Sequence, residues 1–329
     1  MTEHAFKGLL ATSPRRRHIA VWTTILTLLG LGWFFRLLLY ASWTLAILRV
    51  KWRDGAGDFL LSKAHDDFDV TFIEYDKHQL SAAPYEDLVP PVLHHIALGR
   101  GASGYGDLWK DSVQSCVDMH PGWEWHLWTD EAAHKFVSDK FPELREAWEE
   151  YPYLVQRIDA LRYMVLYEYG GAVLDMDLKC KRALGPLRRF HFVAPEAQPT
   201  GFSIGFMMAS RHSSFVNDIV RNLTVYDHNW LSLPYPTVMF STGCHFASVI
   251  HAQQSNRTEL KMLPKPMHSL DGRATTPIFD HMGSSSWHSY DAGLIVLLGR
   301  RINLLFFFVV SFALAVRRKR TILRWMRCG

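Results

Sequence analysis

Two carboxylates one residue apart, Asp175 and Asp177, close a short apolar run, Ala172-Val173-Leu174. In an extended chain residues i and i+2 face the same side, so both acids are expected together at a strand end. Carboxylate oxygens at that spacing suit a hard divalent cation, Mn²⁺ or Mg²⁺. Such an ion can hold a diphosphate and neutralise charge as it leaves. The tripeptide alone says little, since about one Asp-x-Asp is expected by chance at ordinary aspartate usage. The chain in fact carries another, Asp67-Phe68-Asp69. Context separates them. The copy at 175–177 follows a helical pattern, a Gly170-Gly171 turn and a buried strand; the copy at 67–69 follows a polar stretch with no glycine pair.

Two further groups of residues could join such a site. Asp159 and Arg162 lie one helical turn apart, beside the apolar face Leu154, Ile158, Leu161 and Val165. On an exposed helix they would form a local ion pair of little worth. At a cleft, Arg162 would meet a diphosphate and Asp159 a sugar hydroxyl. Near the other end, Asp280-His281-Met282-Gly283-Ser284-Ser285-Ser286-Trp287-His288 gathers small hydroxyl residues, Trp and two His in one glycine-containing loop, the composition of a ligand loop. His281 could supply a third metal ligand, or Ser286 and Trp287 could contact a diphosphate. His94 and His95, inside an apolar run, read as satisfied core or edge residues.

The elements that must position these residues form one domain over residues 50–290. Val70 to Tyr75, Val92 to Leu98 and Trp123 to Trp128 read as strands. Asp107 to Met119 and Asp130 to Phe141 read as helices, with Gly99 to Gly106 a flexible loop. The segment from Tyr153 has helical spacing and stops at Tyr169-Gly170-Gly171 before the buried strand. Strands alternating with helices predict an α/β sheet, and strand ends in such sheets are where ligands bind.

Charge and hydropathy place the domain beside a membrane. The 329 residues carry a net +4, but residues 1–18 hold +3 and residues 317–329 hold +6, which leaves the middle at −5. A nucleic-acid partner therefore loses its main support. Both basic tails abut apolar runs: 19–48, with a span near Val21 to Trp43, and a second transmembrane or membrane-associated segment at 292–316. Arg15–Arg17 and Arg317–Arg320 would be cytosolic and the middle lumenal. Two sequons, Asn222-Leu223-Thr224 and Asn256-Arg257-Thr258, agree. Cys116, Cys180 and Cys244 could form at most one disulfide among themselves, and Cys328, in the basic tail, is a candidate palmitoylation site or an idle thiol.

Several blocks together resemble glycosyltransferase family 32, within it the fungal enzymes that mannosylate inositol phosphoceramide. They are Pro91 to Ile96, Trp123 to Asp130, Arg157 to Tyr163, Tyr169 to Asp177 and His281 to His288. The resemblance implies a GT-A (Rossmann-like) nucleotide-sugar fold, GDP-mannose as donor, Mn²⁺ with Mg²⁺ as substitute, and retention of anomeric configuration. Carried over, it implies that Asp159 and Arg162 hold the donor and Asp175 touches ribose or sugar. Asp177 and His281 would bind the metal with Asp175 beside them, Ser286 and Trp287 would close on the diphosphate, and His94 would border the nucleotide pocket. It further implies a Golgi membrane enzyme with a regulatory membrane subunit. The inositol phosphate of the acceptor should meet a basic residue that the sequence does not single out. Two positions depart from the pattern: Ile204-Gly205, where relatives commonly carry Asn-Asp or another polar pair, and Cys244, where Pro usually follows Thr-Gly. The competing readings are a protein-linked glycan as acceptor, a non-catalytic membrane subunit of the same fold, and a metal-dependent hydrolase of phospholipid headgroups. The last would need a denser His/Asp cluster.

Overall fold

The computed structural model describes residues 14–99, 107–230, 232–283 and 291–293. The chain falls into two units, Met1–Asp54 and Gly55–Gly329. In the first, a single helix α1 (Pro14–Asp54) runs for 41 residues, about 60 Å at 1.5 Å per residue. An 18-residue window within its stretch Val21–Asp54 has a mean hydropathy of 1.6. Trp22, Leu29, Phe35 and Trp43 on it are all exposed. Up to Trp43 the large apolar side chains point outward all round, the length and composition of a membrane span, whereas Leu48 and Trp52 near the helix end are buried. The expected segment at 292–316, apart from its first two residues, and the tail at 317–329 lie outside the described residues.

The second unit is built on a mixed six-stranded sheet. In chain order it contains α2 (Ala56–Phe59), α3 (Lys63–Asp66), β1 (Val92–Ile96), α4 (Asp107–Met119), β2 (Glu124–Trp128), α5 (Asp130–Lys140), α6 (Arg145–Glu150), α7 (Leu154–Tyr169), β3 (Gly171–Leu174) and β4 (Leu178–Cys180). A 3₁₀ turn (Gly185–Arg189) leads to β5 (Phe192–Pro195), β6 (Phe206–Ala209), α8 (Ser214–Asn222), α9 (Pro234–Ser241), α10 (Cys244–Gln253), β7 (Leu260–Leu263), β8 (Ala274–Thr275) and β9 (Phe279–His281). The large sheet has the order β2-β1-β3-β6-β5-β7, and a small sheet the order β4-β9-β8. β1 runs parallel to β2 and β3, and β6 is antiparallel to β3 and β5.

Alternation along the strands makes the core. Leu93, Ala172, Leu174, Val193, Phe206 and Met208 are buried together with Phe68, Phe72, Leu184 and Leu187. Ala172 and Leu174, like Phe206 and Met208, sit two residues apart on their strands, as one pleated face requires. Gly171 starts β3 with φ +91, and a Cβ there would come within 2.4 Å of the Val92 carbonyl. Glycine is what lets β3 lie against β1 at this point.

Most expected elements are present, with one clear exception. Val70 to Tyr75 is a turn, not a strand. The Asp69 carboxylate accepts hydrogen bonds from the Thr71 and Glu74 amides, both at 2.9 Å, which curls the backbone away from any sheet partner. Phe68 and Phe72 are buried edge to face at 5.4 Å. Apolar content there anchors a turn on the core.

Candidate active site

The site begins where β3 ends. The Asp175 amide donates to the Gly205 carbonyl (2.8 Å), and the Leu178 amide donates back to the Asp175 carbonyl (3.1 Å). Residues 175–178 therefore form a tight turn from the large sheet into the small one. The two carboxylates take different partners, although they remain close enough for each charge to act on the other. Asp175 forms an ion pair with Arg162. Asp177 meets His281, with Oδ2 and Nε2 3.3 Å apart. Antiparallel pairing of β4 with β9 sets Leu178 opposite His281. The Met282 amide donates to the Asp177 carbonyl at 3.0 Å and fixes that register.

Helix α7 supplies the rest. Gln156, Asp159 and Tyr163 fall at i, i+3 and i+7, one helical face, and all three reach the turn between α9 and α10. Gln156 donates to Ser241 Oγ (2.8 Å), the Thr242 hydroxyl donates to Asp159 (3.2 Å), and Tyr163 donates to the Thr242 carbonyl (2.7 Å). Arg162 lies between Asp159, 3.6 Å away, and Asp175, and donates to the Ile204 carbonyl at 3.2 Å. Asp159 is 3% exposed and Arg162 8%. The pair expected from sequence is thus the inner part of a buried Asp159–Arg162–Asp175 network of net charge −1. Buried charges persist where partners and hydrogen bonds compensate their lost hydration.

Electrostatics follow from that burial. Burial pushes the Asp159 carboxyl up to about 7, with Arg162 opposing the rise and Asp175 adding to it. Asp175 is also raised, by burial first, against the pull of Arg162 and with the charge of Asp177 reinforcing it. For His281 burial works against the charged ring, but the hydrogen bond and charge of Asp177 outweigh it and the pKa is raised.

Among the described residues, no group of three His, Cys, Asp or Glu side chains is gathered closely enough to hold a metal. Asp175, the third expected ligand, is ion-paired with Arg162 through one carboxylate oxygen. Asp177 and His281 do fit as two ligands. Adjacent donors around an octahedral ion at about 2.1 Å lie about 3 Å apart, close to the 3.3 Å seen here. Water and diphosphate oxygens would complete such a shell.

Comparison with known proteins places this geometry. Residues 106–193 match the glycosyltransferase sugar-binding region containing a DXD motif. Inositol phosphoceramide mannosyltransferase 1 of Schizosaccharomyces pombe is 30% identical over 243 residues, covering 72% of this chain and 74% of its own length. The chain belongs to the inositol phosphoceramide mannosyltransferase family. Mannosyl phosphorylinositol ceramide synthase SUR1 of Saccharomyces cerevisiae is 34% identical over 229 residues, 67% of this chain and 57% of its own. Among solved structures, the PaToxG glycosyltransferase aligns with 55% of this chain and 73% of its own, at 16% identity and a TM-score of 0.36. The protein is a glycosyltransferase, and a divalent metal with a nucleotide-sugar donor is the general equipment of its DXD class.

The remaining expected residues divide. His94 is fully buried; its Nε2 donates to the Gly170 carbonyl (2.9 Å) and its Nδ1 accepts from Trp128 Nε1 (3.3 Å). Burial lowers its pKa to about 3, so the ring is neutral and pins the end of α7 to β1. With both nitrogens engaged the ring has no hydrogen-bonding group to offer a nucleotide. Ser286 and Trp287 lie outside the described residues.

Sequence reasoning passed over Thr242, and it met Gly205 and Cys244 only as departures from the family pattern. A Cβ on Gly205 would lie 2.7 Å from Asp175 Oδ2, so glycine leaves that carboxylate its room. Cys244, a free thiol at the start of α10, interacts with the Ile204 backbone and with Asp159, Arg162 and Asp175, and burial pushes its pKa up to about 12. Both departures border the charge network. Cys116 and Cys180 form a disulfide that ties β4 to α4, three residues beyond Asp177. Closing a loop of 64 residues stabilises the fold by roughly 4 kcal/mol on the chain-entropy account.

Proposed function

We propose that this glycosyltransferase moves mannose from GDP-mannose to inositol phosphoceramide, with retention, through a GT-A domain on the lumenal side of the Golgi membrane. The observation that carries the reading is the Asp177–His281 pair at a strand end beside the buried Asp159–Arg162–Asp175 network, in a chain whose relatives are named for this transfer. Asp177 and His281 would hold Mn²⁺ or Mg²⁺, which would neutralise the charge of the departing diphosphate. Arg162, braced by two carboxylates and the Ile204 carbonyl, holds Asp175 at the mouth of the cleft, where its free edge can accept from a sugar or ribose hydroxyl. Asp159, held by Thr242, keeps the guanidinium from swinging into solvent. A buried network of this kind presents its outermost group in one orientation before substrate arrives, which lowers the cost of ordering it.

Three observations support the setting. The apolar helix α1 would anchor the domain to the bilayer that holds the acceptor. The Cys116–Cys180 disulfide suits an oxidising lumen. Asn256, in the second sequon, is exposed. A second membrane-associated segment at 292–316 and a regulatory membrane subunit complete the proposed arrangement. The test is transfer of labelled mannose from GDP-mannose to inositol phosphoceramide by the purified full-length protein, with Mn²⁺ or with chelator. Metal-dependent product is expected; a donor that binds without any transfer to this lipid would overturn the acceptor assignment.

A further inference from the structure

Beyond the turn that carries Asp177, β4 continues into a basic patch. Lys179 follows Asp177 by two residues, at most about 7 Å of chain, and Lys181 and Arg182 follow it. Together with Lys77, Met119, Cys180 and Pro277 they line a pocket of about 480 Å³, within the range of small-molecule sites.

Four cations face this pocket in a domain that is otherwise acidic. Among the described residues Lys181 is ion-paired with Asp280 at 3.6 Å. Two of the four are built into the fold: Lys181 Nζ donates to the Thr276 carbonyl (3.0 Å) and Arg182 Nη1 to the Tyr75 carbonyl (3.1 Å). Those contacts orient the cations without neutralising them. Among the described residues neither Lys77 nor Lys179 has an ion-pair or hydrogen-bond partner for its ammonium. The floor is rigid, since β4 is held by the disulfide on one side and paired with β9 on the other. A fixed concave surface with a local excess of positive charge recognises a phosphate.

We propose that this pocket is the subsite for the phosphodiester of the acceptor headgroup. The proposal rests on the acceptor reading above, because the class of substrate named there carries its phosphate next to the ring that receives the sugar. A phosphate seated against Lys179 would set that ring at the Asp177 end of β4, in reach of the reacting centre. It would also supply the basic contact that the sequence could not single out.

The experiment uses the full-length protein in detergent and the variant Lys77→Ala/Lys179→Ala, whose ammonium groups pair with nothing among the described residues. Glycerophosphoinositol, a soluble phosphodiester, is titrated into both, beside inorganic phosphate and neutral myo-inositol. The diester is expected to bind the native protein, to bind roughly tenfold more weakly to the variant, as loss of one to two charge-assisted contacts implies, and to weaken with salt. In transfer assays the same variant should raise KM for the lipid acceptor by roughly tenfold and leave KM for the donor unchanged, and Lys179→Arg with Lys77 intact should restore it. Equal diester binding by both proteins, or an unchanged acceptor KM, overturns the subsite. Inorganic phosphate binding as tightly as the diester overturns its assignment to a headgroup. Lysine-dependent diester binding without any transfer to the lipid leaves the subsite standing and removes the proposed reaction.

Discussion

The two Asp-x-Asp tripeptides are a natural experiment within one chain. At 67–69 the acids look inward to their own neighbourhood. Asp69 accepts from Thr71 N, Thr71 Oγ1 and Glu74 N at 2.6–2.9 Å, and Asp67 pairs with Lys63 at 3.1 Å and accepts from Tyr85. At 175–177 the acids reach across the fold, Asp175 to Arg162 on α7 and Asp177 to His281 on β9. A carboxylate whose lone pairs are filled by backbone donors of its own turn is a structural device. One held opposite a histidine from a strand more than 100 residues away can exchange that partner for a cation. The same tripeptide thus serves a turn in one place and a site in the other, and the difference lies in where its partners come from.

The strongest way to break this comparison is Asp177→Ala. Removal of half of the proposed metal pair should lower turnover on the order of 10³-fold, while the unfolding temperature changes little because β4–β9 pairing is retained. If the variant transferred sugar at the native rate, the two motifs would be equivalent and both structural.

Arg162→Ala should cost most in stability. It strands two buried carboxylates, Asp159 and Asp175, without their cation. Breaking a buried pair from one side typically costs about 3–5 kcal/mol, measured as a shift in the denaturant midpoint at constant slope. The equivalent change at the other motif, Lys63→Ala, removes an exposed partner, since Lys63 and Asp67 are both more than half exposed, and should be near neutral.

How much of this was legible in the sequence follows the same division. The block from Leu154 to Leu174 was readable because helical spacing, a glycine pair and an apolar run are local signals, and the helix, turn and strand sit where those signals put them. The Asp159–Arg162 pair was readable for the same reason. Its third member was not, since nothing in the spacing says that Asp175 turns back to Arg162. The metal pair was half readable: Asp177 and His281 were both candidates, but only the pairing of β4 with β9 joins them. The expected strand at Val70–Tyr75 failed because β propensity reports suitability for a half-buried surface, and here the phenylalanines bury on a turn. His94 was read from its apolar context as a satisfied core residue, and its two hydrogen bonds agree.

Gly205→Ala sharpens the contrast at smaller scale. The added Cβ would crowd Asp175 Oδ2 at 2.7 Å, and the carboxylate must shift. A misplaced contact near the reacting centre costs up to about 100-fold, so a fall in turnover of roughly tenfold is expected with little loss of stability. Normal kinetics would mean that the orientation of Asp175 is immaterial, and the site would reduce to Asp177 and His281.

The smallest effect should come from Asp69→Ala, and its pH dependence separates the two motifs further. The turn loses three hydrogen bonds to a charged acceptor that is partly exposed, so roughly 1 kcal/mol is expected after solvent screening, with donor and acceptor KM unchanged. Burial tends to raise the Asp69 pKa, but the Thr71 side chain and the turn's amides overcome it and hold the carboxyl below its ordinary 3.8. A depressed carboxylate contributes stability that is fully present above the unfolded value and is lost as pH falls through the folded one. Asp175 runs the other way. Its raised pKa means that the native state keeps a proton more readily, so its contribution is present below the unfolded value and is lost as pH rises through the folded one. Acidification from about pH 5 to about pH 3 should therefore loosen the Thr71 and Glu74 amides in hydrogen exchange while the Asp175 turn stays protected. Simultaneous loosening of both turns would show that the two motifs share one electrostatic logic after all.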